Sequence, residues 1–502
     1  MTRMNLAATC AVLALSATTI STLGPDRRQQ ALISRGYGMF VHFGINTFNE
    51  TEWSDGTLPV ASYRPTRLDC EQWVETAKRA GFRYIVLVTK HHDGFCLWNS
   101  ALTDYDVGSS SVPTDVVAEV ARACRRLGLG LGLYYSLWDR HEPTHQLKDP
   151  AAYVEFMKGQ LTELLTRYGP IAELWFDGGW AKPDADWNLP AVHALVTRLQ
   201  PDCLIGVNHT ISIPGKPRAI RQPKDYVAGD PIRFWPSDFR LKDPNLVRWD
   251  DPKIYTAPDG RQVYLPFEHT ICLSNHWNWF QKREEKPVRA LDELEELFYW
   301  GTANDNVLIV NVPPDQTGRI RPHERDQVIA LADRLGIGGG RPLPAGPVNQ
   351  AFTARAEADS SSDDASGPLN AVDYSLDSFW RAKTEHASLT IAPAAGGVFE
   401  FDRVALHERG ESREGGDGFT TFHDYRVRAF AIDALRNGAW QEVHAGTVIG
   451  AARIVTFPRR IVAEKIRVRV TDASAPAGLR HVSISRRDSI RPRRTGPSPP
   501  QR

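Results

Sequence analysis

Asp177 lies where an apolar run gives way to glycine, a position at which a carboxylate can act on a ligand. The run Ile171–Asp177 reads IAELWFD, and Gly178 and Gly179 follow it. Glycines let a ligand or another chain segment approach the backbone closely. A bare carboxylate beside Trp and Phe is costly to bury, so it must be paired or functional. A catalytic nucleophile and a buried Asp that caps the next helix are the two interpretations.

The dipeptide His91-His92 follows another apolar run and also has two chemical interpretations. Adjacent residues of a strand point to opposite faces, so both imidazoles face one pocket only at a bend. A hydrolytic metal site would need a third ligand, which Asp93, His42 or Asp177 could supply. Neutral imidazoles could instead bind sugar hydroxyls, and a satisfied core His is the ordinary alternative for either residue.

Aromatic residues are abundant, with 14 Trp, 14 Tyr and 20 Phe in 502 residues. Rings at a pocket mouth suit sugars, whose C–H faces are apolar, although core packing accounts for about half of the Trp residues. Glu52-Trp53 places a carboxylate next to a stacking ring, a combination that can hold a pyranose. Lys plus Arg and Asp plus Glu both number 60, so no basic field is present to recruit nucleic acid or anionic lipid.

These polar residues lie at the ends of apolar runs that alternate with amphipathic segments from about Tyr37 to Leu335. Continuous runs such as Arg83–Lys90 and Leu129–Ser136 predict buried parallel strands separated by helices. Alternation of this length favours an α/β fold of the TIM-like (β/α) barrel type over an open doubly wound sheet. The chemistry of such a barrel lies at the carboxyl ends of its strands, so these residues are expected to share one mouth.

The pattern changes beyond the barrel. A Gly- and Pro-rich stretch is followed by short alternating segments, which predict an all-β sandwich. The charged start and short Ala-rich apolar run predict a secretory signal and export to the periplasm or medium, with no membrane span. The predicted organisation is a signal peptide over residues 1–24, a catalytic barrel over 25–340, a linker over 341–350, a β-sandwich over 351–486 and a disordered basic tail over 487–502.

The cysteines argue against a structural metal site. None of the six forms a C-x-x-C pair, and they are scattered along the chain. Buried thiols are the favoured interpretation, although one disulfide stays possible in an exported chain. No dinucleotide cofactor is expected either, because no G-x-G-x-x-G turn follows the first strand.

Several segments, taken together, resemble the α-L-fucosidase family of retaining glycosidases. The matching segments are YGMFVHFGINTFNETEW (Tyr37–Trp53), YIVLVTKHHDGFCLW (Tyr84–Trp98), GLYYSLWDR (Gly132–Arg140), ELWFDGGW (Glu173–Trp180), LPFEHTICLSNHWNWF (Leu265–Phe280) and NDNVLIVNVPPDQTG (Asn304–Gly318). They cover roughly residues 35–335 in the family's order. The region around Ser378-Phe379-Trp380 looks like a discoidin-type sandwich.

The resemblance implies an exo-acting hydrolase that releases terminal α-L-fucose from fucosylated glycans without a cofactor or metal. Asp177 would attack the anomeric carbon. Of the two adjacent tyrosines, Tyr135 is preferred over Tyr134 beneath the reacting centre, and Trp277 would face the methyl group of the sugar. The full set expected to hold the sugar is His42, Glu52, Trp53, His91, His92, Tyr135 and Trp277.

The general acid/base is predicted to be Glu268. It lies in the apolar segment LPFEHT, where burial should raise the pKa of a carboxyl and keep it protonated. Asp238, Glu284 and Glu285 are the alternatives. In a retaining enzyme the acid/base and the nucleophile should lie about 5–5.5 Å apart.

Two other functions compete with the glycosidase hypothesis. One is a metal-dependent hydrolase built on His42, His91, His92 and Asp177. The other is a catalytically inactive sugar-binding protein. Neither the cleaved linkage, the preferred aglycone nor the oligomeric state is predicted by the sequence.

Overall fold

A computed structural model of the chain describes residues 23–274, 276–277, 279–282, 287–414 and 421–489. The predicted signal peptide and basic tail therefore lie almost wholly outside the described residues. Within these ranges, no helix combines the length and apolarity needed to cross a membrane. The five cysteines of the described ranges are all buried free thiols, as the spacing predicts.

Eight parallel strands of the described ranges form a TIM-like barrel, which confirms the predicted fold class. The strands are β1 (Tyr37–Val41), β2 (Tyr84–Lys90), β3 (Gly130–Ser136), β4 (Glu173–Asp177), β5 (Leu204–Asn208), β6 (Phe239–Leu241), β7 (Glu268–Cys272) and β8 (Val307–Asn311). Their order in the sheet is β7-β8-β1-β2-β3-β4-β5-β6. An isolated parallel bridge between Arg240 of β6 and Phe267, just before β7, closes the ring.

Amphipathic helices cover the outside of the barrel. They are α1 (Arg27–Arg35), α2 (Cys70–Arg79), α3 (Val116–Leu127), α4 (Ala151–Arg167), α5 (Leu189–Leu199), α6 (Leu291–Gly301) and α7 (Pro322–Leu335), with a short turn of helix at Asn46–Asn49. Local signals set their ends. In α3, for example, the side chain of Asp115 accepts from the backbone of Ala118, and Gly128 ends the helix in a left-handed conformation at φ 70°.

Alternate strand residues point inward and outward, which divides the barrel core into two layers. The inner layer includes Phe40, Tyr134 and Trp175, and Leu32 of α1 closes it from below. Outward-facing residues such as Tyr135 pack in a separate cluster against the helices. This alternation decides which polar residues can reach the barrel mouth.

Glu268 lies at the floor of the barrel rather than at its mouth. It is the first residue of β7, and its carboxylate accepts from the Tyr84 hydroxyl at 2.7 Å and from the Trp175 indole at 3.0 Å. Its other neighbour is Glu173, the first residue of β4. Asp177 ends the same strand four residues later, about 13 Å away at ~3.3 Å per residue. The structure therefore does not bring Glu268 to Asp177, contrary to the spacing expected of an acid/base.

The two floor carboxyls are fully buried next to each other. Burial, and for Glu173 the neighbouring carboxylate, raises the pKa of both groups, to about 7 for Glu268. Arg35 of α1 lies 3.8 Å from Glu173 and partly offsets the effect. Gly132 leaves the room this pair needs, since a Cβ atom there would lie 2.7 Å from the side chain of Glu173.

Two hairpins lengthen the connections on one side of the barrel. Ser212–Ile213 pairs with Lys216–Ile220 between β5 and β6, and Ile254–Thr256 pairs with Gln262–Tyr264 between β6 and β7. The second hairpin packs around Arg240, whose buried guanidinium binds Asp251 at 2.6 Å and the hydroxyl of Tyr255 at 2.7 Å. Side chains therefore reinforce the closing side of the ring.

An antiparallel β-sandwich follows the barrel, as the alternating segments predict. One sheet has the order Arg355–Ala358, Ala387–Ala392, Lys465–Ala473, Val427–Arg436 and Ala439–Gly446; the other has Trp380–Arg381, Gly478–Ser485, Phe399–Glu408 and Arg453–Ala463. A short hairpin pairs Glu411–Glu414 with Thr421–Asp424.

A buried ion-pair cluster joins the sandwich to the barrel. Arg403 of the sandwich donates to Glu295 at 3.0 Å and to Glu296, both on α6, and His407 lies 3.2 Å from Glu296. Arg403 and His407 hold the pKa of the Glu296 carboxyl well below its usual range despite burial. Removing one partner of such a cluster would leave the others charged and unpaired, so the two units are coupled in stability.

Replacing Glu268 by Gln should flatten the dependence of stability on pH. Because the folded-state pKa of Glu268 is about 7 against an ordinary 4.5, the folded chain holds a proton that the unfolded chain has already released between these values. The free energy of unfolding of the wild type should therefore fall as pH rises through this window, by about 3 kcal/mol for this group. Urea denaturation of both proteins at about pH 5, 6, 7 and 8 measures the difference.

Glu268→Gln should also keep kcat on an aryl fucoside close to the wild-type value, since the side chain lies far from the mouth. If the free energy of unfolding of the two proteins had the same pH dependence, the raised pKa of Glu268 in the folded state would be contradicted. A large loss of kcat in Glu268→Gln without a loss of stability would indicate that Glu268 takes part in catalysis.

Candidate active site

Asp177 occupies the carboxyl end of β4, where residues from four other strands surround it. Its Oδ2 atom accepts from the hydroxyl of Tyr134 at 2.9 Å, and its Oδ1 atom accepts from the amide of Asn208 at 3.0 Å. The indole of Trp180 lies 3.4 Å from Oδ1. These donors replace the water that the nearly buried carboxylate has lost. Asp177 is therefore held in one orientation.

Gly178 explains how the chain leaves β4 without covering this carboxylate. It adopts the left-handed region at φ 76°, and a Cβ atom there would lie 2.6 Å from the side chain of Trp138. Only glycine satisfies both constraints. The next residues then return Trp180 over Asp177.

The predicted choice between the two adjacent tyrosines is reversed in the structure. Tyr134 points into the barrel and donates to Asp177. Tyr135 points outward, where its hydroxyl bonds to Lys90 and Gln160 at 2.7 Å each, beneath the helices. The cause is the alternation of β3, because neighbouring residues on a strand cannot face the same side.

The three histidines converge on the mouth from β1 and β2. β2 ends at Lys90 and the chain turns directly after it, which places the rings of His91 and His92 4.2 Å apart on one side. His42 lies 6.1 Å from His91. Burial lowers the pKa of all three imidazoles, to about 3 for His42 and His92, so all three are neutral at working pH.

Hydrogen bonds fix which nitrogen of two of these rings carries the proton. Nδ1 of His42 lies 3.0 Å from the amide oxygen of Asn311, so it donates and leaves Nε2 as an acceptor. Nδ1 of His92 lies 2.7 Å from the hydroxyl of Ser136, whose own proton goes to the carbonyl of Trp138 at 2.6 Å. His92 Nε2 is therefore also an acceptor.

This tautomer leaves two acceptors facing each other. His92 Nε2 and Asp177 Oδ2 lie 3.6 Å apart. With a neutral imidazole no proton lies between them, so a ligand hydroxyl could donate its one proton to either atom. The Nδ1 atom of His91 is likewise buried without a hydrogen-bond partner among the described residues.

Glu52 closes the same pocket from the loop after β1. Its Oε1 atom accepts from the indole of Trp277 at 2.5 Å, while its buried Oε2 atom has no partner among the described residues. Burial and the nearby carboxylates of Asp243 and Asp177 raise the pKa of Glu52 to about 8. Trp277 in turn packs edge-on against His42, with ring centroids 4.8 Å apart.

A small network holds the Glu52 loop in place. The amide of Asn46 donates both to the carbonyl of Glu52 at 2.9 Å and to the carboxylate of Asp93 at 2.7 Å. Asp93 also accepts from the backbone of Phe95 at 2.7 Å. Asp93 thus anchors the loop and is not turned toward the pocket as a metal ligand.

The structure also reveals residues that the sequence analysis did not select. Asn208 ends β5, Asn311 ends β8, and Asp243 follows β6 with its carboxylate accepting from the same Asn208 amide nitrogen that binds Asp177. His209 follows Asn208 with a left-handed φ of 64°. A polar residue at the end of each apolar run is the signal that could have found the two asparagines.

Of the three alternative acid/base residues, the structure describes only Asp238, and it does not lie at the mouth. Asp238 precedes β6 at the floor, where its carboxylate accepts from Arg28 of α1 at 2.6 Å and from the backbone of Ile205 at 2.8 Å. Glu284 and Glu285 lie outside the described residues. Of the described carboxyls, Glu52 and Asp243 are the two whose pKa values are raised by the charge of Asp177.

The histidines are not arranged as a metal site. Within the described ranges, no three His, Cys, Asp or Glu side chains come together in a way that could hold a metal ion. Instead, His42 and His92 direct their Nδ1 atoms to Asn311 and Ser136. This arrangement suits recognition of hydroxyl groups.

The sequence model of the family described as alpha-L-fucosidase matches residues 30–339, the whole of the barrel. The chain belongs to the α-L-fucosidase family. Alpha-L-fucosidase 1 of Arabidopsis thaliana is 30% identical over 444 residues, which cover 87% of this chain and 82% of that protein. Rat tissue alpha-L-fucosidase is 35% identical over 284 residues, 54% of each chain.

Solved structures agree with this membership. A glycoside hydrolase 29 family member from an unknown rumen bacterium superposes with a TM-score of 0.54 and 25% identity. The match covers 94% of this chain and 78% of that chain, so it includes the sandwich as well as the barrel. As a member of the α-L-fucosidase family, the chain is a glycoside hydrolase.

An aromatic rim surrounds the mouth of the barrel. Trp53 is 43% exposed, and its ring lies 5.6 Å from Trp180 and 6.1 Å from Trp138. The rim continues the pocket outward above Asp177. Such a surface can contact the apolar face of a sugar ring.

Two matched substitutions test the tyrosine assignment. Tyr134→Phe removes a hydrogen bond to the Asp177 carboxylate and should lower kcat/KM on 4-nitrophenyl α-L-fucoside about 10- to 100-fold, equivalent to ~1.5–3 kcal/mol. Tyr135→Phe should leave kcat/KM within about threefold. It should lower the free energy of unfolding by about 1–2 kcal/mol, because Lys90 and Gln160 lose a partner. The reverse pattern of activities would restore Tyr135 to the site.

Proposed function

We propose that this chain is an exo-acting α-L-fucosidase that removes terminal α-L-fucose from glycans with retention of configuration. The observation that carries the proposal is the carboxylate of Asp177, which three donors orient at the barrel mouth beside a pocket of unpaired polar atoms. In the first step, Asp177 attacks C1 of the sugar as the glycosidic C1–O bond breaks. The leaving oxygen takes a proton from a general acid, and a glycosyl ester of Asp177 forms.

The hydrogen-bond donors to Asp177 orient its carboxylate and do not make it a stronger nucleophile. Tyr134 and Asn208 each bind a different oxygen of the carboxylate, so rotation about the Cβ–Cγ bond would break both bonds. A lone pair of the fixed carboxylate can then stay aligned with the anomeric carbon. This alignment lowers the entropic cost of the attack. Trp180 covers Asp177 from the side of the rim and limits its access to water.

The neutral histidines and Glu52 support recognition of hydroxyl groups. His42 and His92 present acceptor nitrogens, and the Oε2 atom of Glu52 is buried without a described partner. His92 Nε2 and Asp177 Oδ2 lie 3.6 Å apart, and a hydroxyl next to C1 of the sugar could donate to one of these two acceptors. Hydrogen bonds at this hydroxyl strengthen as positive charge develops at the sugar ring.

Aromatic rings support the apolar side of the pocket. The rings of Trp277 and Trp279 lie 4.8 and 5.4 Å from that of His42. Fucose differs from most hexoses by a methyl group at C5, which needs an apolar wall rather than a hydrogen-bonding one. Trp277 would provide this wall while its indole nitrogen holds Glu52 in place. Trp53, at the rim, would contact the face of the bound sugar.

Hydrolysis of 4-nitrophenyl α-L-fucoside by the purified protein tests the proposal directly. We expect release that is selective for the fucoside over other aryl glycosides and insensitive to EDTA. Proton NMR of the first turnovers should show α-fucose before mutarotation. Asp177→Gly should lower kcat roughly 10³-fold or more without changing the thermal unfolding temperature by more than a few degrees.

Azide provides the matched control for Asp177→Gly. It should enter the space left by the carboxylate and displace an activated leaving group, which yields β-fucosyl azide. No release from any aryl glycoside would favour a sugar-binding protein, and release lost on chelation would favour a metal-dependent hydrolase. Near-normal kcat in Asp177→Gly would exclude this residue as the nucleophile.

A further inference from the structure

We propose that Asp243 is the general acid/base that partners Asp177, an assignment that rests on the proposed function. Asp243 follows β6, at the carboxyl end of the barrel, and β6 lies four strands around the ring from β2 and its histidines. A leaving group bound at the rim would thus have Asp177 below it and Asp243 to one side. The sequence analysis did not select this residue.

The separation of the two carboxyls supports the assignment. The amide nitrogen of Asn208 donates to Oδ1 of Asp177 at 3.0 Å and also to Oδ1 of Asp243. Two carboxylate oxygens that accept hydrogen bonds from the same nitrogen lie at most about 6 Å apart. Retaining glycosidases place their two carboxyls about 5–5.5 Å apart, whereas inverting ones need about 6.5–9.5 Å for an intervening water. The shared donor therefore favours a double displacement by this pair.

The backbone around Asp243 is fixed as well as its side chain. Its amide nitrogen lies 3.3 Å from the amide oxygen of Asn208, so Asn208 binds Asp243 through both ends of its own side chain. The ammonium of Lys242 bonds to the carbonyl of Asp243 and to the side chain of Asn245 at 3.3 and 3.1 Å. Asp243 is thus as well positioned as Asp177.

Access to solvent distinguishes Asp243 from the other described carboxyl of the pocket. Asp243 is partly exposed, so it can meet both a departing alcohol and an incoming water. Glu52 is almost completely buried and one of its oxygens is tied to Trp277. Glu52 is therefore better placed to hold a hydroxyl than to exchange protons with solvent.

The charge of Asp177 controls the protonation state of Asp243 during the proposed reaction. Burial and the charge of Asp177 raise the pKa of Asp243 to about 7, while Lys242 acts in the opposite direction. The other titratable groups of this pocket are Glu52, Tyr134 and the imidazoles of His42, His91, His92 and His209. Once Asp177 becomes a neutral ester, its repulsion ends and the pKa of Asp243 falls, which favours the ionised form.

In this proposal Asp243 acts as an acid in the first step and as a base in the second. Asp243 gives its proton to the glycosidic oxygen as the C1–O bond breaks and Asp177 forms the ester. The ionised Asp243 next takes a proton from water, whose oxygen attacks C1 and displaces the carboxylate of Asp177. Fucose leaves in the α configuration, and Asp243 is protonated again.

Leaving-group dependence tests this role with a matched pair of variants, Asp243→Asn and Glu52→Gln. For Asp243→Asn we expect kcat/KM to fall about 10²- to 10⁴-fold on a fucosyl disaccharide but less than about tenfold on 2,4-dinitrophenyl α-L-fucoside, which needs no acid. Glu52→Gln should lose similar factors on both substrates. The alkaline limb of the wild-type kcat/KM profile, near pH 7, should disappear in Asp243→Asn.

The configuration of the azide product identifies the role of Asp243 independently. Azide should attack the glycosyl ester in Asp243→Ala without needing a base, which restores turnover of the dinitrophenyl substrate and yields α-fucosyl azide. Asp177→Gly should give the β anomer instead. The opposite products separate a lost acid/base from a lost nucleophile, and circular dichroism shows whether each variant is folded.

Two other outcomes would contradict the acid/base assignment or the proposed function. If the wild type is active but Asp243→Asn loses the same factor on both substrates and Asp243→Ala gives no azide product, Asp243 only positions Asp177. The same tests on Glu284→Gln and Glu285→Gln would then locate the acid/base. If the wild type does not cleave the dinitrophenyl substrate at all, the proposed function itself fails.

Discussion

The site depends on keeping one ionised carboxylate stable among aromatic rings. Asp177 can be charged there only because donors from neighbouring strands replace its hydration. The strand register makes this possible: Ser136 lies opposite Asp177, and Tyr134 lies opposite Trp175, two residues earlier on the inward face. A slip of one residue would send Tyr134 to the helix side and bring Tyr135 inward. The chemistry of the mouth thus depends on the hydrogen-bond ladder beneath it.

Much of this arrangement could be predicted from the sequence. The strands are continuous apolar runs, so their positions are clear, and the polar residue that ends a run marks the barrel mouth, as for Asp177, His91 and His92. The sequence left open whether both imidazoles face the pocket, and only the turn after Lys90 in the structure decides it. Family motifs added expected roles that periodicity alone could not provide.

The parts that could not be predicted share a physical cause. A strand buried on both faces has no alternation of polar and apolar residues, so inward and outward positions such as Tyr134 and Tyr135 look alike. For the same reason, an apolar setting around Glu268 did not reveal at which end of its strand it lies. β6 is only three residues long, which is too short to give a recognisable hydrophobic pattern. The position of Asp243 at its carboxyl end could therefore not be predicted.

The barrel handles buried carboxyls in two different ways. At the floor, Glu173 and Glu268 lie together, fully buried and with raised pKa values, which fits a structural role. At the mouth, Asp177 and Asp243 share a donor amide from Asn208 and keep a path to the rim. Carboxyl groups thus stabilise the floor of the barrel, and at its mouth they take the proposed catalytic roles.

The closure of the ring has a consequence for motion. β6 meets β7 through an isolated bridge, and the buried guanidinium of Arg240, rather than a long backbone ladder, holds this seam together. Local opening is easiest where few backbone hydrogen bonds must break. The seam between β6 and β7 is therefore where the barrel should open most easily, although Asp243 itself stays held by both ends of the Asn208 side chain. Any such opening would widen the gap between β6 and β7 while the side chains around Asp177 keep their positions.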